Sequence, residues 1–144
     1  VFAWDISDEA LDTARKNAEK NSQKVLFEKV DILGFEAGAK DRSYDIIVSN
    51  PPYVCCEEAT AMHQNVLKHE PHLALFVPDN DPLLFYRKIA GVASTQLNAG
   101  GKLYFEINER FGAETKQLLL QSGFQKVDII QDIFGKERMV RGER

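Results

Sequence analysis

The sequence predicts an α/β domain built on a parallel or mostly parallel sheet with helices on both faces. Three observations carry that expectation. Segments of strand and helix character alternate along the chain. Three of the apolar segments end abruptly in a polar residue, at Asp5, Asp31 and Asn50, as buried parallel strands do where their carboxyl ends meet a crevice. The chain has 144 residues, 44% hydrophobic and 28% charged, which is the length and make-up of one globular domain. No repeat, low-complexity tract or linker divides it, so residues 1–144 are expected to form one domain.

The chain opens on Val1-Phe2-Ala3-Trp4, a short apolar strand stopped by Asp5. Ser7 is an expected N-cap, Asp8 and Glu9 suit the first helical turn, and Asn21 suits the end, so residues 7–21 form an amphipathic helix with Ala10, Leu11, Ala14 and Ala18 inward. A second strand spans Val25 to Val30 and ends at Asp31; residues 34–42 form a loop. A third strand, Tyr44 to Ser49, runs straight into Asn50-Pro51-Pro52-Tyr53, where two prolines prevent its continuation. Residues 54–79 lack a clean period and are expected to form a long loop with a short helix, the kind of loop that usually carries function. Asp81-Pro82 starts a helix reaching about Leu97, with Leu84, Phe85, Ile89, Val92 and Ala93 inward, and Asn98-Ala99-Gly100-Gly101 ends it. A strand from Lys102 to Ile107, a helix from Gly112 to Gln121, a strand from Gln125 to Gln131 and a last short strand from Arg138 to Arg141 complete the chain.

Composition excludes several classes. A net charge of −4 argues against a free-standing binder of the nucleic-acid backbone. No apolar run reaches about 18 residues, so no membrane span is expected. No cationic leader precedes an apolar stretch, and the expected setting is the cytoplasm. Cys55 and Cys56 are adjacent, which suits two reduced thiols rather than a disulfide framework. His63, His69 and His72 have no metal-ligand spacing, and no metal is expected.

The chemistry concentrates at the strand ends. An acid ending the strand before the first helix is the usual partner of a ribose hydroxyl pair, which places Asp5 as a nucleoside acceptor. Ser49-Asn50-Pro51-Pro52-Tyr53 is the strongest signal. An amide nitrogen is a poor nucleophile because its lone pair is delocalised into the carbonyl. A site that alkylates it must grip both N–H hydrogens and aim the lone pair at the electrophile. The Asn50 side-chain carbonyl and the backbone carbonyl of Pro51, stiffened by Pro52, provide two such acceptors, and Tyr53 offers a flat wall. This is positioning chemistry, whose yield comes from near-attack geometry.

The chain resembles the catalytic domain of the HemK family, the protein-glutamine methyltransferases that use S-adenosylmethionine. The resemblance rests on Trp4-Asp5-Ile6-Ser7, Val30-Asp31-Ile32-Leu33, Ile47 to Tyr53, His69-Glu70-Pro71 with Leu73-Ala74-Leu75, Phe85 to Ile89, Gly100-Gly101 before Phe105-Glu106-Ile107, Gly123-Phe124, and Asp132 to Arg138. It implies a Rossmann-like class I methyltransferase fold. It also implies that Asp5, with Ile6 beside it, holds the cofactor's ribose, and that Asp31 and Ile32 flank its adenine. Asn50 and Pro51 would accept from the target amide, Pro52 and Tyr53 would complete that loop, and Asn50 would also lie near the cofactor's reactive end. The implied substrate is the Gly-Gly-Gln loop of a peptide-chain release factor, with S-adenosylhomocysteine as the second product.

The family's first strand and acidic Gly-rich cofactor loop have no counterpart in the sequence, nor does its preceding helical substrate-binding domain. The expectation is a sheet lacking one strand, with unpaired edges, in a chain that binds the cofactor poorly by itself. Other readings stay open: an adenine amino-methyltransferase, whose base amine presents the same two hydrogens; a ribosomal-protein glutamine methyltransferase; and a truncated, non-catalytic module. Smaller signals have double readings too. Glu106 could line the cofactor crevice or be a turn carboxylate, and Glu70 could order the loop over the substrate or be a solvated acid. Lys136, Arg138, Arg141 and Arg144 could touch an RNA partner or form a solvated basic tail.

Overall fold

The computed structural model describes residues 1–36, 42–61 and 71–144, which form two compact units, Val1–Glu36 and Ala37–Arg144. The first unit is a strand–helix–strand. β1 (Phe2–Asp5) pairs in parallel with β2 (Leu26–Lys29), Asp5 standing opposite Lys29, and α1 (Asp8–Lys20) connects them. The helix begins where the sequence places its cap: the Ser7 hydroxyl accepts from the Ala10 N–H at 3.2 Å, and Asp8 and Glu9 fill the first turn. Leu11 is its buried anchor. Trp4 packs on Phe35 and donates its indole N–H to Glu28.

The second unit holds a four-stranded mixed sheet in the order β3–β6–β8–β7, made of β3 (Tyr44–Ser49), β6 (Leu97–Glu106), β8 (Glu137–Glu143) and β7 (Gln125–Gln131). β3 and β6 are parallel, and β8 runs antiparallel to both β6 and β7. Two helices, α3 (Leu84–Gln96) and α4 (Gly112–Gln121), cover one face. That face is read off the pleat. Leu103 and Phe105 of β6 and Val140 of β8 are buried, Tyr86 of α3 meets Phe105 edge-on at 5.1 Å, and Leu119 of α4 lies against Gly142. Arg141 and Glu143 of β8 alternate with the buried Val140 and Gly142 onto the other face, while Arg138, on the Val140 side near the strand's start, is paired with Asp132.

Several boundaries depart from the sequence reading. The helix expected from Asp81 begins at Leu84, and its fully buried aromatic is Tyr86, while Leu84 and Phe85 are half-buried. Asn98-Ala99-Gly100-Gly101 does not separate helix from strand. Leu97 already pairs with Tyr44, and the register then jumps to Ile46 opposite Lys102. The four residues bulge inside β6, with Gly100 at φ +75°. Their backbone groups are satisfied by Arg144, whose carbonyl accepts from Gly100 N and whose N–H donates to Gly101 O, both at 2.8 Å. A β-carbon on Gly101 would sit 2.8 Å from the Asn98 carbonyl oxygen, so only glycine fits there. The last strand is longer than Arg138–Arg141 because it is paired on both sides. The described part of 54–79 is more ordered than a plain loop. A short parallel pair, β4 (Val54–Cys55) with β5 (Phe76–Val77), flanks a 3₁₀ turn (Cys56–Ala61) and a one-turn helix α2 (His72–Leu75). No helix among the described residues is long and apolar enough to cross a membrane.

Candidate functional site

At the carboxyl edge of the first unit, two acids are held alike. Asp5 Oδ1 accepts from the Ser7 N–H at 2.8 Å, and Asp31 Oδ1 accepts from the Leu33 N–H at 3.0 Å. Each turn is the self-capped Asx geometry that a strand-terminal aspartate favours. Each carboxylate is exposed, and its Oδ2 has no hydrogen-bond partner among the described residues. Since β1 and β2 are adjacent and parallel, the structure brings Asp5 and Asp31 to the same edge. Ile6, exposed, and Ile32, half-buried, follow them in the turns. A free carboxylate oxygen at the end of each strand suits a ligand presenting hydroxyls and an amine, and the chemistry of this donor set fits a nucleoside.

In the second unit, Ser49 pairs with Phe105, so Asn50 and Glu106 leave two parallel strands at one level. Asn50 is exposed, and its side chain has no hydrogen-bond partner among the described residues; Pro51 is buried, and Pro52 and Tyr53 are half-buried. Tyr53 is fixed at both ends. Its hydroxyl donates to Glu106 Oε1 at 2.7 Å, and its backbone carbonyl accepts from Asn108 Nδ2 at 3.2 Å. Burial, the bond to Glu106 and that carboxylate's charge push the Tyr53 phenol up to about 12. It is therefore a neutral donor at physiological pH.

Asn108 is almost wholly buried, and each of its polar atoms is used. Its amide also donates to Glu58 Oε2 at 2.8 Å, and its Oδ1 accepts from the Arg110 N–H at 3.0 Å. Glu58 accepts the Cys55 N–H as well, and the Arg110 guanidinium bridges Glu57 and Glu58. Beneath the strand end, the fully buried Tyr86 donates its hydroxyl to the Glu106 carbonyl at 3.1 Å and receives the Asn108 backbone N–H. Its phenol is pushed above the usual range, first by burial.

This geometry shows what the residues with double readings touch. Glu106, read as either a lining of the cofactor crevice or a turn carboxylate, accepts the Tyr53 hydroxyl. The basic tail is not a free cationic surface. Lys136 pairs with Glu109, Arg138 with Asp132, Arg141 with Asp128, and Arg144 donates to the Leu97 carbonyl. Cys55 is buried, with its thiol pushed up by burial and then by Glu58; Cys56 is exposed, and both are free. No cluster of ligand side chains able to hold a metal occurs among the described residues. His63, His69 and Glu70 lie outside the described residues. Sequence reasoning missed Asn108, Glu58, Arg110 and Tyr86, which it gave no role.

Comparison with known proteins places this arrangement. The methyltransferase small domain model matches residues 1–74, just over half of the chain. The release factor glutamine methyltransferase of Bacteroides thetaiotaomicron is 51% identical over 144 residues, covering 100% of this chain and 51% of that protein. The enzyme of the same name from Flavobacterium psychrophilum is 50% identical over 141 residues, covering 98% and 49%. The chain thus spans about half the length of the curated relatives it matches. Among solved structures, a methyltransferase from Pyrococcus furiosus superposes with a TM-score of 0.69 at 22% identity, over 99% of this chain and 61% of that one. The fold is therefore that of a Rossmann-like methyltransferase, and the chain belongs to the methyltransferase small domain family.

Proposed function

We propose that this chain is part of the catalytic domain of a protein-glutamine N-methyltransferase. It would transfer a methyl group from S-adenosylmethionine to the side-chain amide of the glutamine in the Gly-Gly-Gln loop of a peptide-chain release factor, releasing S-adenosylhomocysteine. The observation that carries the reading is the loop after β3: an exposed Asn50 amide with no hydrogen-bond partner among the described residues, beside the buried Pro51, with Tyr53 held at its ring and its carbonyl. The identity to proteins named release factor glutamine methyltransferase supports the choice of substrate.

S-adenosylmethionine, when bound, supplies an electrophilic methyl on a sulfonium. Asp5 and Ile6 would hold its ribose end, and Asp31 and Ile32 its adenine. The Asn50 side-chain carbonyl and the Pro51 backbone carbonyl take one hydrogen each of the substrate –NH₂, which aims the nitrogen lone pair. Pro52 stiffens the peptide that carries the second acceptor, and the Tyr53 ring packs on the planar amide. The gain is orientation, since a well-oriented pair avoids much of the entropic barrier of a bimolecular step. The protein substrate would be met in the cytoplasm, with no direct contact to nucleic acid.

The test is transfer of labelled methyl from S-adenosylmethionine by the full-length protein, offered a release factor, ribosomal proteins and nucleic acid in parallel. Label in the release factor that is lost when its loop glutamine is alanine is the expected result. Label only in nucleic acid or only in ribosomal protein overturns the assignment.

A further inference from the structure

Tyr53 ties the reacting loop to the end of β6, and it is tied twice. Glu106 takes its hydroxyl and Asn108 takes its carbonyl, from positions two apart on the same segment. Both anchors are themselves fixed. The fully buried Tyr86 bonds the Glu106 carbonyl and receives the Asn108 backbone N–H. Glu58 and the Arg110 N–H use the rest of the Asn108 amide. Hydrogen bonds to a carboxylate and bonds made within a buried network are the stronger kinds. At the opposite end of the two prolines, Asn50 is exposed and its side chain has no hydrogen-bond partner among the described residues. The segment is thus rigid at Tyr53 and open at Asn50.

We propose that Glu106 and Asn108 are positioning residues of the methyl transfer. Resting on the glutamine-methyltransferase reading above, they set the angle at which Asn50 and Pro51 meet the substrate amide by fixing Tyr53 through its ring and its main chain. Glu106 acts through the Tyr53 hydroxyl. Asn108 acts through the Tyr53 carbonyl and therefore independently of the hydroxyl. Neither touches the transferred methyl group or its nitrogen. Their contribution appears in the turnover step, where a displacement of about 1 Å can cost on the order of 100-fold.

The experiment is steady-state kinetics of the full-length protein with S-adenosylmethionine and a release factor, alongside calorimetric cofactor affinity and a thermal melt for each variant. Glu106→Ala lowers kcat roughly 10- to 100-fold with both KM values and the cofactor affinity nearly unchanged. Glu106→Gln, which still accepts the Tyr53 hydroxyl, restores most of that loss. Glu106→Ala combined with Tyr53→Phe is no slower than the slower single variant, because both delete the same bond. Asn108→Ala combined with Tyr53→Phe multiplies, because they act on different handles. Full kcat in Glu106→Ala, a loss confined to KM, multiplication in the Glu106–Tyr53 pair, or a lowered melting temperature with kcat intact each overturns the proposal. Wild-type protein that transfers no methyl to a release factor overturns the functional reading itself, which separates that failure from a failure of the clamp.

Discussion

Aspartate at position 108 is expected to be worse than alanine, although it is nearly the same shape as the native residue. Asn108 is 8% exposed, and its side chain makes three hydrogen bonds: to the Tyr53 carbonyl at 3.2 Å, to Glu58 at 2.8 Å and from the Arg110 N–H at 3.0 Å. Alanine removes all three. With about 1 kcal/mol for each neutral bond and about 1.5–3 for the bond to a carboxylate, the loss is about 4 kcal/mol. Aspartate keeps the Arg110 bond but loses both donors and sets a second carboxylate against that of Glu58. At an effective dielectric near 20, two such charges roughly 4 Å apart repel by about 4 kcal/mol. The Arg110 guanidinium, 3.3 Å from Glu58 Oε1, offsets part of this. Asn108→Asp should therefore fall below Asn108→Ala by about 2 kcal/mol at pH 7.

The order should change with acid. In the folded aspartate variant two carboxylates repel, so the fold binds a proton more readily than the unfolded chain, and acidification favours the fold. Protonation also restores a donor. Urea unfolding followed by circular dichroism at about pH 7 and about pH 4 measures both effects. The reasoning is refuted by an aspartate variant as stable as the alanine variant at neutral pH, or by a gap between them that acid does not narrow.

Other expectations follow from the same contacts. Gly101→Ala drives a β-carbon into the Asn98 carbonyl and close to that of Asp45, and should cost about 2 kcal/mol or more by denaturation. The Asp132 carboxyl is held below the usual range, first by the Lys136 N–H, then by the Phe134 N–H and Arg138. Its hairpin bonds should be intact above the ordinary aspartate value of about 4 and lost as pH falls through the lowered one, read from amide shifts of Phe134 and Lys136. The Tyr53 phenol, raised to about 12, stabilises the fold fully below about pH 10 and loses that contribution as pH rises toward the folded value. A spectrophotometric titration against Tyr53→Phe should show no ionisation of this residue near pH 10. A thiol reagent should label Cys56 at once and Cys55 only on unfolding, since one is exposed and the other is buried with a raised thiol.

The fold was legible wherever the determinant was local. Ser7 with Asp8 and Glu9 marked the start of α1, and Pro51-Pro52 marked the end of β3, because caps and prolines act on their own few residues. The β6 bulge was not legible: Asn98 to Gly101 spells a helix stop, and only the contact with Arg144 shows that the segment stays in the sheet. Tyr86 escaped because an apolar pattern favours Leu84 and Phe85. Burying a tyrosine instead depends on a partner for its hydroxyl, and that partner is the Glu106 carbonyl, 20 residues away. At the site, the acceptors Asn50 and Pro51 were visible as a motif. The residues that hold them were not, since Glu106 and Asn108 lie 53 and 55 residues from Tyr53. Asn108 also reads as an ordinary helix cap, which it is, for Arg110. Its second duty is written only in three dimensions.

The central claim is that the Asn50 carbonyl grips the amide that becomes methylated. Its most direct test is the mass of the Gly-Gly-Gln peptide cut from a release factor after incubation with S-adenosylmethionine and the full-length protein. The account predicts one added methyl on that glutamine with the native enzyme. It predicts none with Asn50→Ala, whose melting temperature should match the native protein because Asn50 is exposed and makes no bond among the described residues. Equal methylation by the two proteins, or a methyl found elsewhere than on the glutamine side chain, would contradict it.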